Sequence, residues 1–190
     1  MGDPFEFQAT WETPRGTLRV RPTAAGDEAD LLRFFRQRLS ERSNFFLCLH
    51  RWQTDEQALE ALRQRILAHQ RREALVYVAL HQNDIVGYFF LVRLKDPESR
   101  PPSLGIGLAD AFQGCGIGGR FMDLLVEAAR ALGCAAIELT HHPDNHRAAA
   151  LYLRKGFRYT GESVSWETPD GPRTEPRMRL ELATLPNSLA

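Results

Sequence analysis

Gln113 is followed within six residues by Gly114, Gly116, Gly118 and Gly119, with Cys115 and Ile117 between them. Such a run turns several backbone N–H groups toward one point and, lacking side chains, lets an anion come close. If a helix begins there, the unpaired N–H groups of its first turn add to the attraction, and phosphate is the natural guest. Gly114, Gly116 and Gly119 also spell G-x-G-x-x-G, a dinucleotide fingerprint. Glu138 stands roughly 20 residues on, near where that fingerprint wants a ribose-binding acid. A turn whose glycines merely allow close packing is the plain alternative.

The elements around the run arbitrate. Ser103–Leu108 reads as a short buried strand carrying Ile106 and Leu108. After the glycines, Phe121, Leu124, Leu125, Ala128 and Leu132 recur at helical spacing until Gly133 stops them. Upstream, residues 1–14 read as an arm or loose first strand, Thr17–Arg21 as a strand and Asp27–Leu39 as an apolar-sided helix. Ser43–Trp52 is an aromatic connector, and a capping box at Thr54–Gln57 opens a second helix. Ala74–Leu80 and Ile85–Leu94 flank a short polar turn, which predicts a hairpin, and Lys95–Pro102 is a proline-broken loop. Downstream come a strand at Ala135–Thr140, a helix capped by Asp144 or Asn145, and strands at Tyr159–Trp166 and Arg177–Leu182. The polar loop Glu167–Pro176 joins that last pair.

This order argues against a dinucleotide fold, which opens with its glycine loop and continues through several βα units. Here the strands before the loop form a hairpin-joined meander, and Glu138 falls inside its strand rather than at the end. The expectation is an α/β (α+β) fold with a mixed sheet, an antiparallel meander followed by one βαβ unit.

Gln113-Gly114-Cys115-Gly116-Ile117-Gly118 resembles the Q/R-x-x-G-x-G/A signature of the GCN5-related N-acetyltransferases (GNAT). Asn145-His146-Arg147-Ala148-Ala149-Ala150-Leu151-Tyr152, running on to Gly156-Phe157, resembles that family's N-x-x-A-x-x-L-Y-x-x-x-G-F. The resemblance implies a splayed central sheet that binds acetyl-CoA as cosubstrate. It implies that Gln113 to Gly119 hold the pyrophosphate and that the backbone of Ile106, Gly107 and Leu108 pairs with the pantetheine arm. It also implies a strand bulge near Leu108 that serves the oxyanion, a CoA contact from Asn145, and protonation of the leaving thiolate by Tyr152. Asn145 could equally be a helix cap, Tyr152 a core residue, and Cys115 is expected to contribute its amide rather than its thiol.

The base is the open role. Many relatives carry a glutamate where this chain has Ser103. Glu138 on the next strand is one candidate. His141 is another, because histidine's ordinary pKa of about 6.5 suits a base; a water relay is a third. The resemblance implies an amine acceptor, small molecule or protein, and makes Phe45, Phe46 and Trp52 candidates for its wall, with core packing as the alternative. A catalytically silent CoA-binding module is the reading from another class.

Composition sets bounds. Over 190 residues, Lys plus Arg and Asp plus Glu number 24 each, so no net charge points to nucleic acid or an acidic membrane. Cys48, Cys115 and Cys134 form no C-x-x-C, which argues against a disulfide framework or metal site and fits a reducing cytoplasm. No stretch has signal-peptide character or membrane-spanning length. The chain reads as a single domain over 1–190 with a frayed tail at 183–190, and edge strands of the last hairpin would allow a homodimer.

Overall fold

The structure is a computed structural model and describes residues 2–47, 52, 54–95, 100–168 and 171–182. Cys48, the middle of the proline loop and the tail at 183–190 lie outside the described residues. The strands are β1 (Ala9–Trp11), β2 (Leu18–Pro22), β3 (Ala74–His81), β4 (Asp84–Val92), β5 (Ser103–Leu108), β6 (Ala136–Thr140), β7 (Arg158–Thr168) and β8 (Gly171–Glu181). They form one sheet in the order β1-β2-β3-β4-β5-β6-β8-β7. β1 to β5 are an antiparallel meander, β5 and β6 are parallel, and the final hairpin reverses to place β8 beside β6. The fold class is the one expected.

β3 and β4 read as unbroken apolar runs because helices cover both of their faces. On one face lie α1 (Asp27–Gln37) and α3 (Asp55–Gln70), and Phe35 meets Tyr88 of β4 edge to face at 5.5 Å. On the other lies α4 (Ile117–Ala131), whose Phe121 stacks on Phe89 at 4.0 Å. Both rings of that stack are fully buried. Truncating Phe121 to alanine there would cost about 3–5 kcal/mol. Gly87 is required beside it, since a Cβ at that position would come within 2.6 Å of the Phe121 ring.

Two segments depart from expectation. Part of the aromatic connector is a helix, α2 (Glu41–Phe46), capped by the Ser40 hydroxyl and tied down by Asp110, which accepts from Ser40 N at 3.0 Å and Ser43 Oγ at 2.6 Å. Burial opposes ionisation of Asp110, but those serine bonds win and hold its carboxyl below the ordinary range. The predicted loop Glu167–Pro176 is also mostly strand, because β8 begins at Gly171 and pairs with β7 from Gly171 to Pro176.

Candidate functional site

β5 and β6 share one register pair, Ser103 with Glu138, held by Glu138 N donating to Pro102 O at 2.9 Å. Beyond that point the strands diverge. Backbone groups along β5 alternate in direction, and Ala109 N is already committed to Val86 O of β4. The odd-numbered residues therefore serve β4, while Leu104, Ile106 and Leu108 turn their N–H and C=O groups into the gap. The gap opens into a cleft of about 1260 Å³, lined by β5, the glycine loop, α2, α3, α5 (His146–Arg154) and the last hairpin. That exceeds the volume most single small ligands need, so a long donor and an acceptor can share it.

The glycine loop closes one end. Gly114 and Gly116 adopt φ of 85° and 83°, a backbone that side chains strain, and Gly116 is the N-cap of α4. The first N–H groups of α4 thus face the cleft beside Gly118 and Gly119, both of which line it. Gln113 shapes the loop instead of reaching outward: its Nε2 donates to Leu108 O and Asp110 Oδ1, both at 3.0 Å, and its Oε1 accepts from Arg147 at 3.2 Å. Arg147 and Arg154 add positive charge at this end. Cys115 donates its thiol to Phe112 O at 3.0 Å, which leaves only its amide for a ligand. The Ile117 side chain belongs to the core.

Asn145 caps α5, its Oδ1 accepting from Ala148 N at 3.2 Å, and also lines the cleft. Tyr152 lines it two turns further on. Burial first, and then the Glu175 carboxylate, push its phenol up to about 12, so it is a neutral donor throughout the physiological range. His141, buried just past β6, donates Nδ1–H to His142 O at 2.9 Å, which leaves Nε2 to accept from the Tyr159 hydroxyl at 3.1 Å. That tautomer is assigned from the bonding pattern. The rings of His141 and Tyr152 are 6.0 Å apart.

Three sequence expectations need correction. Glu138 is buried, but it does not line the cleft; Arg177 and Arg179 approach its carboxylate at 3.8 and 3.5 Å. No bulge occurs near Leu108, because β4 and β5 keep one register from Gly87–Leu108 to Val92–Ser103. Of the aromatic trio, Phe46 and Trp52 line the cleft, while Phe45 sits at the rim against His142 at 4.9 Å.

Sequence reasoning missed the far wall. Glu175 and Trp166, from the hairpin, line the cleft. Glu175 Oε1 receives Arg173 Nε and Nη2 at 2.8 and 2.6 Å. Arg173 also donates to the carbonyls of Phe45 and Phe46, coupling the hairpin to α2. The two-residue spacing of Arg173 and Glu175 was the available signal for a shared strand face.

Among the described residues no helix is long and apolar enough to cross a membrane, and no group of three or more His, Cys, Asp or Glu residues could hold a metal ion.

A sheet splayed beside a helix N-terminus that can take phosphate defines an acyl-CoA-binding transferase. The acetyltransferase (GNAT) family matches residues 32–157, and the chain belongs to that family, whose acyl donor is acetyl-CoA. A mycothiol acetyltransferase from Parafrankia sp. (strain EAN1pec) is 34% identical over 77 residues, covering 38% of this chain and 24% of that protein. The match thus spans about a quarter of that relative's length. Among solved structures, Mycobacterium smegmatis RimJ in complex with CoA-disulfide aligns with TM-score 0.71 and 19% identity over 94% of this chain and 88% of that one. A Salmonella typhimurium acetyl transferase that modifies the N-terminal serine of ribosomal protein L7/L12 aligns with TM-score 0.70 and 18% identity, over 87% and 95%. At these identities the structures speak for the fold.

Proposed function

We propose that this chain, as one domain, transfers the acetyl group of acetyl-CoA to a primary amine of a small molecule or protein, by direct attack in a ternary complex. The observation that carries this reading is the open β5 edge beyond the Ser103–Glu138 pair, centred on the N–H and C=O of Ile106, which leads to the glycine loop. The loop amides and the first turn of α4 would hold the pyrophosphate, with Arg147 beside them, and the β5 edge would pair with the pantetheine amides. Acetyl-CoA, when bound, supplies a thioester carbonyl for attack by the amine.

The remaining steps fall to the chain's own residues. His141 Nε2 takes the amine proton when the Tyr159 hydroxyl, its donor in the free protein, gives way to the amine, with the Nδ1–H bond to His142 O fixing the ring. Glu175 holds the ammonium or the cationic face of the acceptor before deprotonation. Tyr152 donates a hydrogen bond to the departing thiolate. A thiol has an ordinary pKa near 8.5, far below that of a phenol at about 12, so Tyr152 stabilises the charge instead of surrendering its proton.

His141, Tyr152 and Glu175 meeting at one cleft favours an enzyme over a silent CoA-binding module. Cys115 and Cys134 are free, which supports a reducing cytoplasm. The outer edge of β7, last in the sheet order, is where a second copy would add. Thiol release from acetyl-CoA, followed across a panel of amines and peptides, is the test. A saturating CoA signal without release toward any amine would favour the silent module, and thermal stabilisation by NAD but not by CoA would overturn the donor assignment.

A further inference from the structure

We propose that Arg65 selects the acceptor, and that the amine substrate carries an oxyanion, a carboxylate or a phosphate, which the Arg65 guanidinium receives. This rests on the reading of the cleft as an N-acetyltransferase site.

Arg65 lies on the cleft-facing flank of α3, beside Ala61 and Leu62. Its guanidinium carbon stands 4.7 Å over the Phe90 ring, and Phe90 itself lines the cleft. Its Nη1 is buried and has no hydrogen-bond partner; among the described residues it is the buried side-chain polar atom left in that condition. Arginine stays charged at any working pH and has no acceptor of its own, so a buried, unpaired N–H here is a donor held for something absent. The buried carboxylate of the same cleft is paired elsewhere, since Glu175 Oε1 is held by Arg173.

The position separates this group from the donor's phosphates. Phe90 covers Gly105, where a Cβ would come within 2.2 Å of its ring, so Arg65 belongs to the Ser103 end of β5. The glycine loop is at the other end, and the strand from Gly105 to Ala109 alone spans roughly 13 Å. Phosphates held by the loop cannot also reach Arg65. An acceptor entering from the Ser103 end meets it first. The fork of a guanidinium matches the two oxygens of a carboxylate or phosphate, and the Phe90 face keeps the fork flat.

The test uses matched amines that differ in the anion alone: 4-aminobutyrate against 4-aminobutanamide, O-phosphoethanolamine against ethanolamine, and a hexapeptide beginning Ser-Asp against one beginning Ser-Asn. Thiol release gives kcat and KM, and calorimetry on the CoA-loaded protein gives binding of the same probes. Wild type should favour the anionic member of at least one pair by about 10- to 100-fold, expressed in KM. The pair that responds identifies the carrier. Arg65→Met should bring the two members level, and Arg65→Lys should restore part of the difference. A CoA-induced melting shift equal to wild type shows that each variant is folded. Anion-dependent binding through Arg65 without turnover would sink the acetyl-transfer reading and leave the anion site standing. Turnover with no charge preference in any pair, an Arg65→Met protein that keeps the wild-type ratio, or neither turnover nor charge-dependent binding would overturn the proposal.

Discussion

Arg173 and Glu175 form a buried ion pair across two residues of β8, with both side chains about 5% exposed. The same guanidinium holds the last carbonyls of α2, so one arginine fixes the acid in the cleft and the helix that walls it. Arg173→Met should leave a buried carboxylate unpaired and destabilise the fold by about 3–5 kcal/mol in urea titrations. The double variant Arg173→Met, Glu175→Met should recover most of that stability without recovering thiol release. Single and double variants of equal stability would show the pair to be incidental.

Tyr152→Phe should leave CoA affinity close to wild type and lower kcat by about 10- to 100-fold, the worth of one hydrogen bond to a charged group. With the phenol at about 12, no limb of the activity profile between pH 6 and 10 should belong to it, and Tyr152→Phe should keep the wild-type shape. Because the raised pKa means that the folded state holds this proton more tightly, Tyr152's contribution to stability is complete below the ordinary phenol value and declines as pH rises from about 10 to about 12. A profile that changes shape in the variant would return the proton-transfer role to Tyr152.

Gly118 is the cleaner place to block the anion site. It is not in a left-handed conformation, and a Cβ there would make ordinary contact with Leu151 at 3.6 Å. Gly118→Val should keep its Tm within a few degrees of wild type and lose the CoA-induced shift, which at ~100 times Kd is worth about 2.7 kcal/mol in wild type. Gly116→Val should fall in Tm even without ligand, because valine is strained at a φ of 83°. An intact CoA shift in Gly118→Val would make the loop structural.

His69 gives a pH dependence unrelated to catalysis. It is buried between Phe5 O and Val76 N, and desolvation lowers its pKa. The folded state then binds this proton less readily than the unfolded chain. Its stability contribution is present above about pH 6.5 and is lost as pH falls below that. The urea midpoint of wild type should drop between pH 7 and pH 5, and His69→Gln should flatten that slope. Parallel slopes in the two proteins would place the acid sensitivity elsewhere.

The loop and α5 were legible in the sequence because both depend on local rules: glycine where φ is positive, asparagine at a helix start, and a tyrosine one turn after a buried alanine. The far wall was not. Pro172 and Pro176 read as loop, since a proline removes a ladder donor. In β8, however, even-numbered residues face β6, as Leu182 N does in donating to Ala135 O, and β6 ends opposite Arg177. At Pro172 and Pro176 no strand waits for the missing N–H, so proline costs nothing there. Arg65 was equally hidden, because a charged residue on a helix flank normally reads as solvated and only the tertiary contact with Phe90 shows otherwise.

An unpaired strand edge on a protein's surface is a template on which any extended chain can grow, and surface edges are commonly blunted for that reason. The free edge of β5 is not at the border of the sheet. It runs down the middle of the sheet, between β5 and β6, inside the walled cleft. A second polypeptide strand there would have to project its side chains against the elements that wall the cleft, whereas a slender, unbranched amide chain would not. The parting of the two strands is thus also a sieve, and it lets the molecule keep an exposed ladder without offering its neighbours a place to aggregate.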